Sequence, residues 1–431
     1  LIPPANVTYP TTGGTCVGCH SISPSGRYML ANTNFDNYGA LFDLTDQTLS
    51  TASPTPTVWR SPASGTTIRY RLSSWSPDET LAMVSTASGT DALRLIDPFT
   101  GATLQANNAS GMAITLPNPG TMPAWARDNS FVAFIAGNTS WAGQTTTGIL
   151  SLLPVVDSAM HRFGTVTALF GASNSAANNT LAAGAEIGTE PTHGNFYPSW
   201  TPDSQWIAFA NGTSSRSDPR DSNNAWNAGD WANTSALYLT RRDGTGLTRL
   251  TRGCAASVPE KKDNTVTGSP GRTGLDFQPN FSPFQGGGYF WLSFLSRRPY
   301  GNVQAGNANS AIQPGQIWVM AVKVNPDGST DPSEVAYWLP GQNARHRAVS
   351  AFWAPRPCRQ NGDGCSVGSE CCGGDCRPPA GGGAPVCSPP DPQMCRQVGQ
   401  TCASLTDCCG GGTDPSIACT GNVCTFVIGI Q

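Results

Sequence analysis

Short apolar runs, alternating or continuous and bounded by Gly, Pro, Asn and Asp, fill the chain from about residue 20 to residue 354. One phrase recurs among them: a strand ending in an aromatic residue, a polar-Pro-polar turn, and a second apolar strand. It reads Leu72-Ser-Ser-Trp-Ser-Pro-Asp-Glu-Thr-Leu-Ala-Met-Val, then Pro123-Ala-Trp-Ala-Arg-Asp-Asn-Ser-Phe-Val-Ala-Phe, then Pro198-Ser-Trp-Thr-Pro-Asp-Ser-Gln-Trp-Ile-Ala-Phe. Weaker copies are Pro279-Asn-Phe-Ser-Pro-Phe and Ser350-Ala-Phe-Trp-Ala-Pro, and Ser21-Ile-Ser-Pro-Ser-Gly is the first. Ile22, Trp75, Trp125, Trp200, Phe281 and Trp353 are then equivalent positions. The intervals hold further strands, predicted at 81–85, 92–96 and 113–116 after Trp75, and at 206–210, 237–239 and 247–250 after Trp200. About four strands per repeat describe a propeller blade whose aromatic strand lines the central channel.

The W-S-P-D phrase with its following I-A-F resembles the propeller repeats of TolB-like proteins, over roughly residues 20–354. The resemblance implies an all-β propeller and no particular function. Six copies bound five intervals and favour five blades, with a strand at 349–354 closing the ring against the first. Six blades, usual in TolB-like proteins, stay open because the longer intervals have room for a degenerate one. Excess length falls in polar loops at 173–195, 211–234, 255–273 and 302–313, where recognition commonly resides.

The first copy is spliced to Cys16-Val-Gly-Cys-His20, the C-x-x-C-H attachment signature of a c-type haem. Cys16 and Cys19 supply thioethers to the haem, and His20 is the proximal iron ligand. A plain Cys16–Cys19 disulfide loop is the competing reading. No helical period surrounds the motif, unlike a conventional small cytochrome. For the distal ligand, His346 is the first choice and His193 the alternative, since each stands seven residues before an anchor tryptophan. Met29, Met83 and Met122 are further candidates on or near inner strands. His161 completes the four histidines.

Charged residues make up 12% of the chain with net charge −3, so neither nucleic acid nor an anionic membrane is favoured as partner. No apolar run reaches the roughly 18 residues of a spanning helix. A start at Leu1 without a charged-then-apolar leader reads as removal of a secretory signal, and no cysteine stands there for a lipid anchor. Of 15 cysteines, all but Cys16, Cys19 and Cys254 crowd into residues 358–424, which places the chain in an oxidising compartment. The expected location is extracellular or cell-surface, with the periplasm as alternative. A disulfide from Cys254 to Cys16 or Cys19 would exclude the haem.

The domains read as an N-terminal arm (1–15), the propeller (16–355), and two cysteine-rich modules (356–390 and 391–431). Cys358, Cys365, Cys371, Cys372, Cys376 and Cys387 form the first six, and Cys395, Cys402, Cys408, Cys409, Cys419 and Cys424 repeat the C-x6-C-x5-C-C opening. Six cysteines allow fifteen pairings; zinc competes, but this tail has no histidine. The spacing resembles inhibitor-cystine-knot modules, which implies first-to-fourth, second-to-fifth and third-to-sixth bonds. Residues 426–430 form an apolar strand without an obvious partner in a knot.

No hydrolytic motif is present, and no catalytic residue is expected. Asp243-Gly-Thr-Gly and Asp327-Gly-Ser-Thr-Asp331 read as hairpin turns ahead of calcium loops. Two functions follow: an exported monohaem electron carrier that passes electrons to a redox partner or to copies of itself, with assembly into a multimer or filament through the terminal strand; or a haem-free scaffold binding proteins or glycans.

Overall fold

The computed structural model describes residues 17–33, 38–44, 57–60, 69–87, 91–137, 148–170, 194–212, 235–253, 276–286, 288–296, 298, 315–324, 326, 328, 330–343, 348, 350–353, 362, 364–365, 375–379, 382–388, 417–420 and 423–426. Five of its sheets follow one another in sequence order as the blades of a propeller. Blade 1 is β1 (Val17–Ile22), β2 (Tyr28–Thr33), β3 (Tyr38–Asp43) and β4 (Thr57–Arg60). Blade 2 is β5 (Tyr70–Trp75), β6 (Ala82–Thr86), β7 (Leu93–Ile96) and β8 (Thr103–Leu104). A short β9 (Asn107–Asn108) leaves it for blade 3, which holds β10 (Gly120–Trp125), β11 (Phe131–Ala136), β12 (Ile149–Asp157), β13 (Arg162–Phe163) and β14 (Thr167–Phe170). Blade 4 is β15 (Gly194–Trp200), β16 (Trp206–Gly212), β17 (Ser235–Arg241) and β18 (Thr248–Arg249). Blade 5 is β19 (Asp276–Gly286), β20 (Tyr289–Ser296), β21 (Gln316–Lys323) and β22 (Tyr337–Trp338). The count settles on five blades, and the six usual in TolB-like proteins are not reached among the described residues.

Each aromatic strand is the innermost of its blade, and β1 meets β5, β5 meets β10, and β10 meets β15. A blade stacked between neighbours buries both faces, so its middle strands read as continuous apolar runs. Every residue of Trp206–Gly212 is buried, as are Ala82 to Ser85. Apolar clusters span blade interfaces, such as Leu30 and Leu41 against Tyr70, Trp75 and Val84.

The recurring turn explains its own sequence. The Asp78 carboxylate accepts from the hydroxyl of Ser76 (2.6 Å) and the backbone N–H of Thr80 (3.2 Å), and Asp203 takes a hydroxyl bond from Thr201 (2.6 Å) in the same place. In blades 1 to 4 the fourth residue after the anchor adopts a left-handed backbone: Gly26 (φ 75°), Glu79 (61°), Asn129 (60°) and Ser204 (58°). Glycine is the unstrained choice there, and an L-residue costs roughly 1–2 kcal/mol. Gly26→Val should therefore lower the unfolding free energy by about that much, and Gly26→Asn by clearly less, in urea titrations.

Polar ties join the inner strands. Trp75 Nε1 donates to the Ser21 carbonyl (3.2 Å), and Trp200 Nε1 donates to the Ala124 carbonyl (2.8 Å). At the alternate interfaces the anchor's backbone N–H donates to a serine hydroxyl: Trp125 to Ser74 (2.8 Å) and Phe281 to Ser199 (2.9 Å). Buried ion pairs add to these. Arg71 pairs with the fully buried Asp91, which also accepts from the Thr121 hydroxyl (3.1 Å).

Three expectations need correction. The fourth strand of blade 2 is Thr103–Leu104, while 113–116 contributes only an isolated bridge from Ala113 to Asn107. Residues 350–353 form no strand, so the ring is not closed by strand addition there. In the tail, Phe426 pairs with Ile417 in the hairpin of β25 (Ile417–Thr420) and β26 (Val423–Phe426), so this part of the terminal segment has a partner. The other tail hairpin joins β23 (Asp375–Arg377) to β24 (Val386–Ser388). The chain divides into two compact units, one carrying the bulk of the blades and the other the residues from Ala354 onward with the short segments Ser25–Arg27 and Phe284–Tyr289. Among the described residues, no helix is long and apolar enough to cross a membrane.

Candidate functional site at the C-x-x-C-H strand

The C-x-x-C-H motif runs into the innermost strand of blade 1. Cys16 lies outside the described residues, whereas Cys19 and His20 belong to β1. Gly18 pairs with Asn32 and Ser21 with Leu30, so Cys19 and His20 together stand opposite the single residue Ala31. This is a β-bulge, two residues against one. A regular strand alternates its residues between two faces, and a bulge interrupts that alternation locally.

Other blades carry the same irregularity in the same register. In β10 the pairing skips between Thr121 and Ala124, and in β15 between Phe196 and Ser199. The skipped residues are Met122-Pro123 and Tyr197-Pro198, with Met122 (φ 53°) and Tyr197 (φ 51°) left-handed. Gln278 (φ 51°) precedes Pro279 in β19 likewise. Proline lacks the N–H of a regular ladder and is confined to such places. Cys19-His20 therefore fills in blade 1 the position that X-Pro fills in blades 3, 4 and 5. Counting back three and two residues from Ile22, Trp125, Trp200 and Phe281 gives this register in the sequence.

The His20 imidazole is half-buried and lies against the ring of Phe352, with centroids 5.6 Å apart and planes at 47°. Burial holds its pKa below the ordinary histidine value, so near neutral pH the ring is uncharged, the form that ligates a metal. Phe352 is not among the residues that sequence reasoning singles out; the available signal is its place next to Trp353, the last copy of the anchor.

The remaining candidates distribute as follows. His193, His346 and Cys254 lie outside the described residues. His161 occupies a turn of blade 3 with φ 53°, its backbone N–H donating to Ser158 O (3.0 Å). Met29 and Met83 are buried on β2 and β6, the second strands of their blades. Met122 sits on an inner strand, its Sδ accepting from the Tyr197 N–H at 3.2 Å. Asp243 is held by Thr245, whose hydroxyl (2.7 Å) and N–H (2.9 Å) keep its carboxyl below the ordinary range. Asp331 accepts from Thr251, Arg252 and Ser333, so both acids serve turns and loop anchoring. Among the described residues, no group of three or more His, Cys, Asp or Glu is gathered as for a metal ion; a haem iron draws a single imidazole from its attachment motif.

In the tail, Cys365 and Cys376 form a disulfide (S–S 2.09 Å), the second and fifth cysteines of their module. Cys365, Cys376 and the disulfide-bonded Cys387 make a small core, sulfur replacing the aliphatic side chains that so short a segment lacks.

No family model matches the chain, and no curated protein matches it. Solved structures resemble it weakly. A putative TolB from Agrobacterium tumefaciens is 17% identical, with 79% of this chain and 86% of that one covered and a TM-score of 0.41. TolB from Acinetobacter baumannii is 13% identical over 71% of this chain and 50% of that one, at 0.33. Hydrazine synthase from Kuenenia stuttgartiensis is 10% identical over 78% and 100%, at 0.32. The propeller assignment rests on the sheet topology above.

Proposed function

We propose that this chain is an exported monohaem c-type cytochrome on a five-bladed propeller, an electron carrier with no catalytic residues of its own. The observation that supports it most is the bulge of β1, which sets Cys19 and His20 against one partner residue on an innermost strand. The donor set fits the group. Cys16 and Cys19 would hold it covalently: each thiol adds sulfur to one carbon of a vinyl group and hydrogen to the other, and nothing leaves. His20, kept neutral by burial, presents its imidazole to the iron. Bound haem supplies a one-electron couple whose potential follows ligand identity and burial. The partner is a redox protein or another copy of this chain. The distal ligand is His346, with His193 as the alternative. Covalent haem attachment and dense disulfides both belong outside the cytoplasm, on the cell surface or beyond it, or in the periplasm.

The test is an intact mass and an absorption spectrum on protein from a host that matures cytochromes c. A mass exceeding the chain by one haem, with a Soret band that survives denaturation, is the expected result. A mass equal to the bare oxidised chain would sink the proposal and leave the haem-free scaffold.

The tail is read as two cystine-knot modules, a reading supported by the second-to-fifth bond Cys365–Cys376. Cross-links act mainly on the unfolded chain, by roughly 3 kcal/mol for a 15-residue loop. Mild reductant should therefore unfold the tail and leave the propeller's near-ultraviolet circular dichroism intact. Simultaneous loss of both would contradict separate folding.

A further inference from the structure

We infer that Phe352 is a positioning residue for His20, clamped in turn by Trp353, so that closure of the propeller ring and orientation of the imidazole are one event. The inference rests on the haem reading above and concerns how its ligand is held. Trp75 and Trp200 each donate Nε1–H to the carbonyl just before the anchor of the preceding blade. Blade 5 offers the equivalent carbonyl at Asn280, but the anchor of blade 1 is Ile22, which has no such donor. Trp353 supplies it: its Nε1 donates to the Asn280 carbonyl at 2.9 Å. A residue from beyond the last blade thus takes the place of blade 1's missing tryptophan.

That bond fixes the neighbouring residue. Phe352 is 41% exposed and turns part of its ring onto His20 at the centroid distance of an aromatic pair. An imidazole has two side-chain torsions, and packing on one face restricts the second, which decides where the ligating nitrogen points. His20 lies on β1 and Asn280 on β19, so Phe352 and Trp353 together bridge the first and last blades at the ligand itself.

The experiment uses the full-length haem-loaded protein with Phe352→Ala, Phe352→Leu and Trp353→Phe. Intact mass reports the thioethers, added imidazole is titrated against the absorption spectrum, and the reduction potential is measured. Phe352→Ala should keep its covalent haem, shift the potential, and be converted by imidazole at about two- to tenfold lower concentration, the span that an aromatic pair is worth. Trp353→Phe, which loses the N–H donor and part of the ring but keeps an aromatic side chain, should move the titration the same way by less. Wild-type protein without covalent haem would remove the haem reading and this inference with it. Wild-type haem content with unchanged titration and potential in Phe352→Ala would overturn the inference alone. Should that variant fail to fold, Phe352→Leu decides by the same titration: a wild-type midpoint overturns the inference, and a shift supports it.

Discussion

The double variant Cys16→Ala, Cys19→Ala is expected to come out of a cytochrome c-maturing host with no haem that survives denaturation, while its far-ultraviolet circular dichroism matches the parent. The strand that carries Cys19 is held by backbone pairing to β2, from Val17↔Thr33 to Ile22↔Met29, and alanine keeps every one of those bonds. On the haem reading, what disappears is the covalent attachment, leaving only axial coordination to retain the group. His20→Ala should retain haem poorly and lose the low-spin spectrum, because the proximal ligand sets the iron's spin state. Covalent haem in the double variant would mean attachment at other residues and would refute the assignment of the motif.

Arg298→Met is expected to destabilise the propeller by about 3–5 kcal/mol, the cost of removing one partner from a buried ion pair. Arg298 and Asp276 are 5% and 1% exposed, with Nη2 2.8 Å from Oδ1. The same guanidinium donates to the Gly253 carbonyl (3.0 Å) and the Ser296 hydroxyl (2.9 Å) and lies 4.7 Å over the Trp318 ring. Methionine replaces the stem but removes the Arg298 positive charge from beside a carboxylate that is 1% exposed. Adding Asp276→Asn should recover part of the loss, because the buried charge goes with it. The half-exposed pair of Arg242 and Asp128 (3.2 Å) is the control, where Arg242→Met should change stability by about 0–1 kcal/mol. Denaturant midpoints of the four proteins check this directly, and equal losses at the two sites would refute it.

Much of the site is already written in the local sequence. Trp75, Trp125 and Trp200 with their Asp-containing turns mark the inner strands, and the left-handed position four residues on is met by glycine in the first copy. The register of Cys19-His20 follows from counting back to the anchor. The pairing of Arg298 with Asp276 is not legible there, since nothing in either segment distinguishes a buried ion from a solvated one. The contact of Phe352 with His20 is hidden for a related reason: its partners stand at opposite ends of the propeller sequence.

The strand-turn-strand unit, the bulge-compatible Cys-His pair and the disulfide-rich tail are local properties, because each depends on residues within one turn or one hairpin of each other. That five blades complete the ring, and that Trp353 and Phe352 bridge it at the motif, emerges only when the whole chain is folded. The number of twisted sheets that fill a circle depends on how every blade packs on the next. No single repeat carries that information, so neither blade number nor the residue seated on His20 follows from any one stretch of chain.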